Sequence, residues 1–281
     1  MSDPLESPPV ARPAVDTRAP QALDYAPLAK PVERRFPDLA MPASAAAIDL
    51  VIVTAWVLGI GALLLFSDLA EFLMEHWPSM GRLGTNLLLG LLNLGMVVAV
   101  LVRRRQGPGT IGLNRPPLRR LLSSAAIAIP ACWAGSICGA MLYIALIGLD
   151  TSKVLAEKTE LFDLVAQFPV AWILPFTLFV GIHEEVLFRG FFLSRMRALS
   201  RSKAAAVIVT GVVFGLLHFY QGLLGVFQTT MIGIFLAIIV VYARTLWPAI
   251  IAHAAFDATN MVLLPWVPWV LRMLKGLESA S

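Results

Sequence analysis

The sequence has few charged residues and almost no cysteine. Only 14% of its 281 residues are Asp, Glu, Lys or Arg, and 58% are hydrophobic. Soluble domains carry about a quarter charged residues, so this composition argues against a soluble protein. The two cysteines, Cys132 and Cys138, lie in one apolar run. They are predicted to be small buried hydrophobic side chains rather than a disulfide or a metal-binding pair.

Proline is concentrated in residues 1–43, a polar segment that contains Pro8, Pro9 and Pro13. Proline at this density blocks helix formation, and the segment has too little apolar content to form a core. It also lacks the apolar stretch of a signal peptide. We therefore expect a disordered cytoplasmic tail, followed by a transmembrane domain at 44–281.

Long apolar runs dominate the remainder of the chain. A helix that spans a membrane needs about 20 apolar residues. The sequence predicts an all-α, polytopic bundle of about seven transmembrane helices, in which the fifth and sixth could instead pair as a short hairpin. The predicted stretches are 44–67, 83–102, 121–148, 169–192, 204–221, 223–243 and 247–265.

The basic residues flank these runs. Arginines crowd the loops after the second and fourth helices, which places the N-terminus in the cytoplasm and the C-terminus outside. The net charge of +4 then reflects topology and lipid headgroup contacts, with no nucleic-acid partner. Residues 153–168 have the pattern of an amphipathic surface helix, either a lid or a connector. Residues 266–274 look like an interfacial cap.

Charges inside the fourth run are the most informative feature. Glu184, Glu185 and Arg189 lie within GIHEEVLFRG, and a charged residue in a membrane helix is costly, so one without a function should be rare. Glu185 and Arg189 are four residues apart, so they share a helix face and can pair. Glu184 points about 100° away and lacks this partner. An unpaired carboxyl there suits general acid or base chemistry.

Two histidines occur in later apolar runs. Phe214 and His218 are four residues apart, as are His253 and Asp257. Asp257 can accept a hydrogen bond from one imidazole nitrogen of His253, which leaves the other free for water, an oxyanion or a metal. Counted along the helices from their basic ends, Glu184, His218 and His253 fall at similar depths in the membrane.

These three motifs together resemble the CAAX protease and bacteriocin-processing family of intramembrane endopeptidases, which includes the type II CAAX prenyl endopeptidase. They are Glu184-Glu185-Val-Leu-Phe-Arg189, Phe214-Gly-Leu-Leu-His218 and His253-Ala-Ala-Phe-Asp257. The resemblance covers residues 165–262. It implies a membrane-embedded peptidase acting on a membrane-associated protein or peptide, and we expect a multi-pass protein of a bacterial inner membrane.

The resemblance also implies roles for the individual residues. Glu184, helped by His218, corresponds to the group that activates the attacking water, and Glu185 and Arg189 look like an orienting pair. His253 and Asp257 correspond to the pair that binds the oxyanion. The family usually has asparagine where this chain has Asp257. An ionised Asp257 would repel an oxyanion, but it could hold His253 in its protonated form.

Metal dependence and two other function classes stay open at this point. Zinc is possible, with Glu184, His218 and His253 as ligands, or with His183 in place of Glu184. Position 187 is leucine, so the HExxH motif of many zinc proteases is absent, and we expect no obligatory cofactor. The alternatives to a peptidase are a non-catalytic scaffold or bacteriocin-immunity protein on the same fold, and a transporter or proton relay.

Overall fold

The computed structural model describes residues 36–65, 78–148 and 169–263, and Glu75, Asp150 and Trp266 individually. This part of the chain is helical and contains no strand, which confirms the all-α prediction. Most of the predicted tail (residues 1–35), the amphipathic segment 153–168 and the interfacial segment after Trp266 lie outside the described residues.

Seven helical rods follow one another in this part of the chain, as predicted. The rods are α1 (Ala43–Leu65), α2 (Pro78–Arg103), α3 (Leu118–Ile147), a continuous rod of α4 (Val170–Glu185), a π-helix (Val186–Phe192) and α5 (Leu193–Ser200), then α6 (Lys203–Leu216), α7 (Gly222–Ala243) and α8 (Trp247–Leu263). Five of them are long and apolar enough to cross a membrane, namely α1, α2, α3, the rod that contains α4 and α5, and α7.

One of the predicted stretches, 204–221, contains a helix that is shorter than a transmembrane helix. Helix α6 has 14 residues, or about 21 Å at the rise of an α-helix, against a hydrocarbon core of about 30 Å. It ends at Leu216, not at residue 221, and packs along α7 across a short turn, so the hairpin alternative describes it. Helix α8 has 17 residues.

Small residues allow the central helices to approach closely. A Cβ on Gly139 of α3 would lie 2.5 Å from the Cα of Gln228 in α7, and Gln228 donates a hydrogen bond to Ser136. Small residues and interhelical polar contacts are typical of membrane helix pairs. Cys132 is buried here, as predicted, whereas Cys138 is exposed, so its predicted burial is wrong. Both thiols are free.

The segment between α2 and α3 fixes the start of α8. The backbone N–H of Leu246 donates to the carbonyl of Gly112 at 3.0 Å, and the indole of Trp247 donates to the carbonyl of Asn114 at 3.0 Å. Phe36, only 4% exposed, also lies against Gly112. These contacts fix the position at which α8 begins, and therefore the position of His253 along the direction of that helix.

Candidate active site

Glu184 and Glu185 are the last two residues of α4, immediately before the helix widens. The π-helix Val186–Phe192 follows them and contains Arg189. A π-helix has one more residue in each hydrogen-bonded turn than an α-helix, is rare, and occurs often at functional sites. The π-helix thus begins directly after the two glutamates and carries Arg189, so the change of helix type lies within the site.

Glu185 and Arg189 form the ion pair that their spacing predicts. Arg189 Nη1 donates to Glu185 Oε1 at 2.7 Å, and the two side chains are 1% and 0% exposed. The guanidinium also lies over the ring of Phe214, 4.1 Å from its centre, a favourable cation–π arrangement. Gly233 of α7 leaves room for this stack, because a Cβ there would lie 3.2 Å from Arg189 Nη2.

His253 on α8 is oriented by Glu185. Its Nδ1 lies 2.9 Å from Glu185 Oε1, and an ionised carboxylate can only accept, so Nδ1–H donates. Sequence reasoning gave this orienting task to Asp257, but Asp257 lies on the opposite side of the ring. Its Oδ2 is 3.4 Å from Nε2 of His253. The carboxylate that holds one nitrogen is therefore Glu185 and not Asp257, and Nε2 is the nitrogen that faces Asp257 and Glu184.

His218 lies in the turn after α6 and not on the helix, which corrects its predicted position on the fifth span. Its Nδ1 is 2.8 Å from the carbonyl oxygen of Phe214. A carbonyl can only accept, so Nδ1 carries the hydrogen and the neutral ring presents the lone pair of Nε2. The Phe214 ring packs against the imidazole with 4.5 Å between centres.

Glu184 lies between the two imidazoles. Its Oε2 is 3.6 Å from Nε2 of His253 and 3.9 Å from Nε2 of His218. This oxygen is buried and has no hydrogen-bond partner among the described residues. Both distances are too long for a direct hydrogen bond, but one water molecule can bridge groups at such separations. The structure thus brings all six predicted site residues into one cluster of α4, the π-helix, α8 and the turn after α6.

Among the described residues, no group of three or more His, Cys, Asp or Glu side chains is arranged to hold a metal ion, and Glu184, His218 and His253 are included in that statement. The alternative ligand His183 directs Nδ1 at the carbonyl of Phe179, 3.4 Å away. We therefore derive no step through a metal.

One residue beside the cluster was missed by sequence reasoning. The ring of Tyr220 lies 5.8 Å from the ring of His218, at an angle of 31°. Its spacing of two from a candidate catalytic histidine was visible in the sequence. In a helix that spacing places two side chains on different faces, so the predicted helix up to residue 221 concealed the contact made by the turn.

The fold and the site define a class: a multi-pass helical membrane protein with ionisable side chains converging between its helices. Within this class, residues 166–259 match the family model described as type II CAAX prenyl endopeptidase Rce1-like. The match contains all three motifs and confirms the resemblance over this region. No curated protein and no solved structure was found to match the chain. The family supports, in general terms, a CAAX protease-like membrane endopeptidase.

Proposed function

We propose that this chain hydrolyses peptide bonds of membrane-associated proteins or peptides, with Glu184 as the general base. The observation that carries the proposal is the position of Glu184 Oε2, buried without a partner between the Nε2 atoms of two histidines. A buried carboxylate oxygen is costly unless a polar molecule satisfies it. Water fits this gap and is also the reactant that hydrolysis consumes.

His218 completes the water site in this proposal. With its hydrogen directed to Phe214, the lone pair of Nε2 accepts one hydrogen bond from the water, while Glu184 accepts the other. The water oxygen then attacks the carbonyl carbon and its proton passes to Glu184, which forms a tetrahedral intermediate. The C–N bond breaks as Glu184 returns that proton to the leaving nitrogen. The products are a carboxylic acid and an amine.

His253 has the role of oxyanion donor in the proposal. Glu185 and Arg189 hold its Nδ1 side in place, so Nε2 is directed towards the reacting atoms. With a proton on Nε2, the imidazole donates to the carbonyl oxygen as it becomes negative. Asp257, 3.4 Å from this nitrogen, favours the protonated ring without contacting the substrate.

The setting of the reaction is proposed from the same features. A cluster between membrane helices reaches substrates that are themselves held in the lipid bilayer. The arginines after α2 and α5 favour a cytoplasmic N-terminus by the positive-inside rule. A bacterial inner membrane is the location that we propose, with no nucleic-acid partner.

The test compares membranes of cells that contain the parent chain with membranes that contain Glu184→Gln. We expect a membrane protein fragment with a new terminus only in the parent sample, because glutamine keeps the shape of the side chain but accepts no proton. Identical fragments in both samples would overturn the role of Glu184. A transporter would instead show substrate- or proton-coupled flux in vesicles, and a scaffold would show neither activity.

A further inference from the structure

A short segment between α2 and α3 contacts the half of the site that carries His253. The 3₁₀-helix Pro108–Ile111 ends at Gly112, whose φ of 83° is in the left-handed region that favours glycine. The carbonyl of Gly112 accepts from the backbone N–H of Leu246 at 3.0 Å and from the hydroxyl of Thr245 at 3.3 Å. These two residues lead directly into α8, so the segment holds the end of the helix on which His253 lies.

The same segment contacts the half of the site that carries the glutamates. A Cβ on Gly190 of the π-helix would lie 2.9 Å from the carbonyl oxygen of Ile111 and 3.2 Å from Cδ1 of Leu246. Gly190 directly follows Arg189, the ion-pair partner of Glu185. Ile111 and Leu246 are 2% and 0% exposed. The π-helix, the segment and the start of α8 therefore meet in one buried contact.

Phe36 and Asp38 attach the N-terminal side of the chain to this contact. The ring of Phe36 is 4% exposed, and a Cβ on Gly112 would lie only 2.8 Å from its Cε1. Asp38 Oδ1 is 3.0 Å from Nε of Arg197, which belongs to α5, in the same continuous rod as Glu184. A partly exposed ion pair contributes little by itself, so the buried ring is the main attachment.

We propose that Phe36 is a positioning residue for peptide bond hydrolysis, which acts through Gly112 and Leu246 on the alignment of the two halves of the site. Glu184 Oε2 lies 3.6 Å from Nε2 of His253, and these atoms belong to different rods. A displacement of about 1 Å in a catalytic group can lower a rate about 10²-fold. This inference rests on the proposed function and adds a residue that does not contact the substrate.

The test uses Phe36→Ala, which removes the ring, and Phe36→Leu, which keeps an apolar side chain against Gly112. The matched control is Leu50→Ala, because Leu50 is also buried, at 8% exposed, but lies on α1. Parent, variant and Glu184→Gln chains are reconstituted in liposomes. Cleavage of an internally quenched farnesylated CAAX peptide is followed over a range of peptide concentrations and normalised to folded protein. Thermal unfolding in detergent gives the stability of each chain.

We expect Phe36→Ala to lower kcat between about 10- and 10²-fold, with KM within about twofold of the parent value. Phe36→Leu should restore kcat to within about threefold of the parent. Leu50→Ala should lower the melting temperature in the same way as Phe36→Ala and keep the parental kcat, because the cavity it leaves is remote from the contact. A purely structural role of Phe36 would instead change stability alone.

Thr245→Val tests the same route if Phe36→Ala gives no folded protein, because it removes only the hydroxyl that donates to Gly112. We expect it to lower kcat about tenfold, and its combination with Phe36→Leu to be non-additive. Parental kcat in the folded Phe36 and Thr245 variants, beside an inactive Glu184→Gln chain, overturns the role of Phe36 alone. An equal loss of kcat in Leu50→Ala also contradicts it. No cleavage by the parent, or parental cleavage by Glu184→Gln, overturns the proposed function and this inference with it.

Discussion

Two buried charge clusters lie in the part of the bundle that the structure describes, and they resemble each other in construction. In each, an arginine is stacked on a phenylalanine of the long central rod or its neighbour: Arg189 lies 4.1 Å from the centre of Phe214, and Arg195 lies 4.2 Å from the centre of Phe191. Each arginine is at most 1% exposed. Each also belongs to an ion-pair network that joins elements distant in the sequence.

The second cluster is centred on Asp49 of α1. Arg104 donates to Asp49 Oδ1 from two nitrogens, at 2.9 and 2.7 Å, and Arg195 Nε lies 3.6 Å from Asp49 Oδ2. Arg195 also donates to Gln106 and Ser194. The only carboxylate described in this cluster, Asp49, therefore lies beside two cations, Arg104 and Arg195. This acid has a positively charged partner. The cluster joins α1, the end of α2 and α5.

The site cluster has the opposite balance of charge. Its carboxylates are Glu184, Glu185 and Asp257, and its one arginine, Arg189, is engaged by Glu185. Glu184 is left with imidazoles as its neighbours. Buried charge alone therefore does not distinguish a catalytic site in this molecule. The distinguishing feature is a buried acid, Glu184, that is not paired with an arginine.

The largest expected difference between the two clusters is the effect of neutralising one acid in each. Glu184→Gln should lower the rate of cleavage by about 10²- to 10⁴-fold, the usual contribution of a general base. Asp49→Asn should lower the yield of folded protein, because the buried Arg195 and the partly exposed Arg104 lose their carboxylate, while the rate per folded molecule stays within about threefold of the parent value. The measurement is liposome cleavage normalised to the monodisperse protein recovered. Equal loss per folded molecule would show that the clusters do not differ in function.

Removal of an arginine should show how strongly each cluster stabilises the fold. Arg189→Met leaves Glu185 buried without its cation, and we expect a loss of about 3–5 kcal/mol of unfolding free energy. Arg104→Met should cost on the order of 1 kcal/mol, because Arg104 is 29% exposed and Asp49 keeps Arg195. Thermal and denaturant unfolding in the same detergent give both values. A larger loss for Arg104→Met would contradict the distinction.

A methyl group can test how tightly the site cluster is packed. In Gly233→Ala, the new Cβ would lie 3.1 Å from the ring of Phe214 and 3.2 Å from the Cα of Gly211. Backbone cannot move aside, so we expect a loss of about 1–3 kcal/mol. Gly95→Ala in α2 meets nothing within 4 Å and should stabilise its helix by up to about 1 kcal/mol. If Gly233→Ala instead raised the unfolding free energy, the packing around Arg189 would have room for an extra methyl group.

The sequence made the local part of the site predictable. The pair Glu185–Arg189 follows from a spacing of four, and Phe214 packs on His218 at the same spacing although His218 lies in the turn after α6. Apolar run length predicted the number of helical rods. These features depend on residues within one turn of each other, where helix geometry alone decides which side chains can meet.

Contacts between distant elements were not predictable in the same way. His253 takes its orientation from Glu185, 68 residues earlier, and no spacing rule reports which of several acids will reach a given nitrogen. The end of α6 at Leu216 was also missed, because apolar residues continue through the turn. Asp49 is a different case, because the sequence already shows it as a charged residue inside an apolar run. A charge in such a run is costly in free energy and therefore noteworthy.

The smallest expected effect is that of a metal chelator. Chelation tests whether a water molecule or a metal ion lies between Glu184 and the two imidazoles. If a water held by side chains is the nucleophile, prolonged treatment with EDTA or 1,10-phenanthroline should leave the rate of cleavage within about twofold of the untreated value. Added zinc should not increase it. Loss of activity that zinc restores in the parent chain would instead support a metal held by Glu184, His218 and His253. Metal analysis of the purified protein separates the two cases: a resident zinc would be lost together with the activity, whereas a water-based site has no bound zinc to lose.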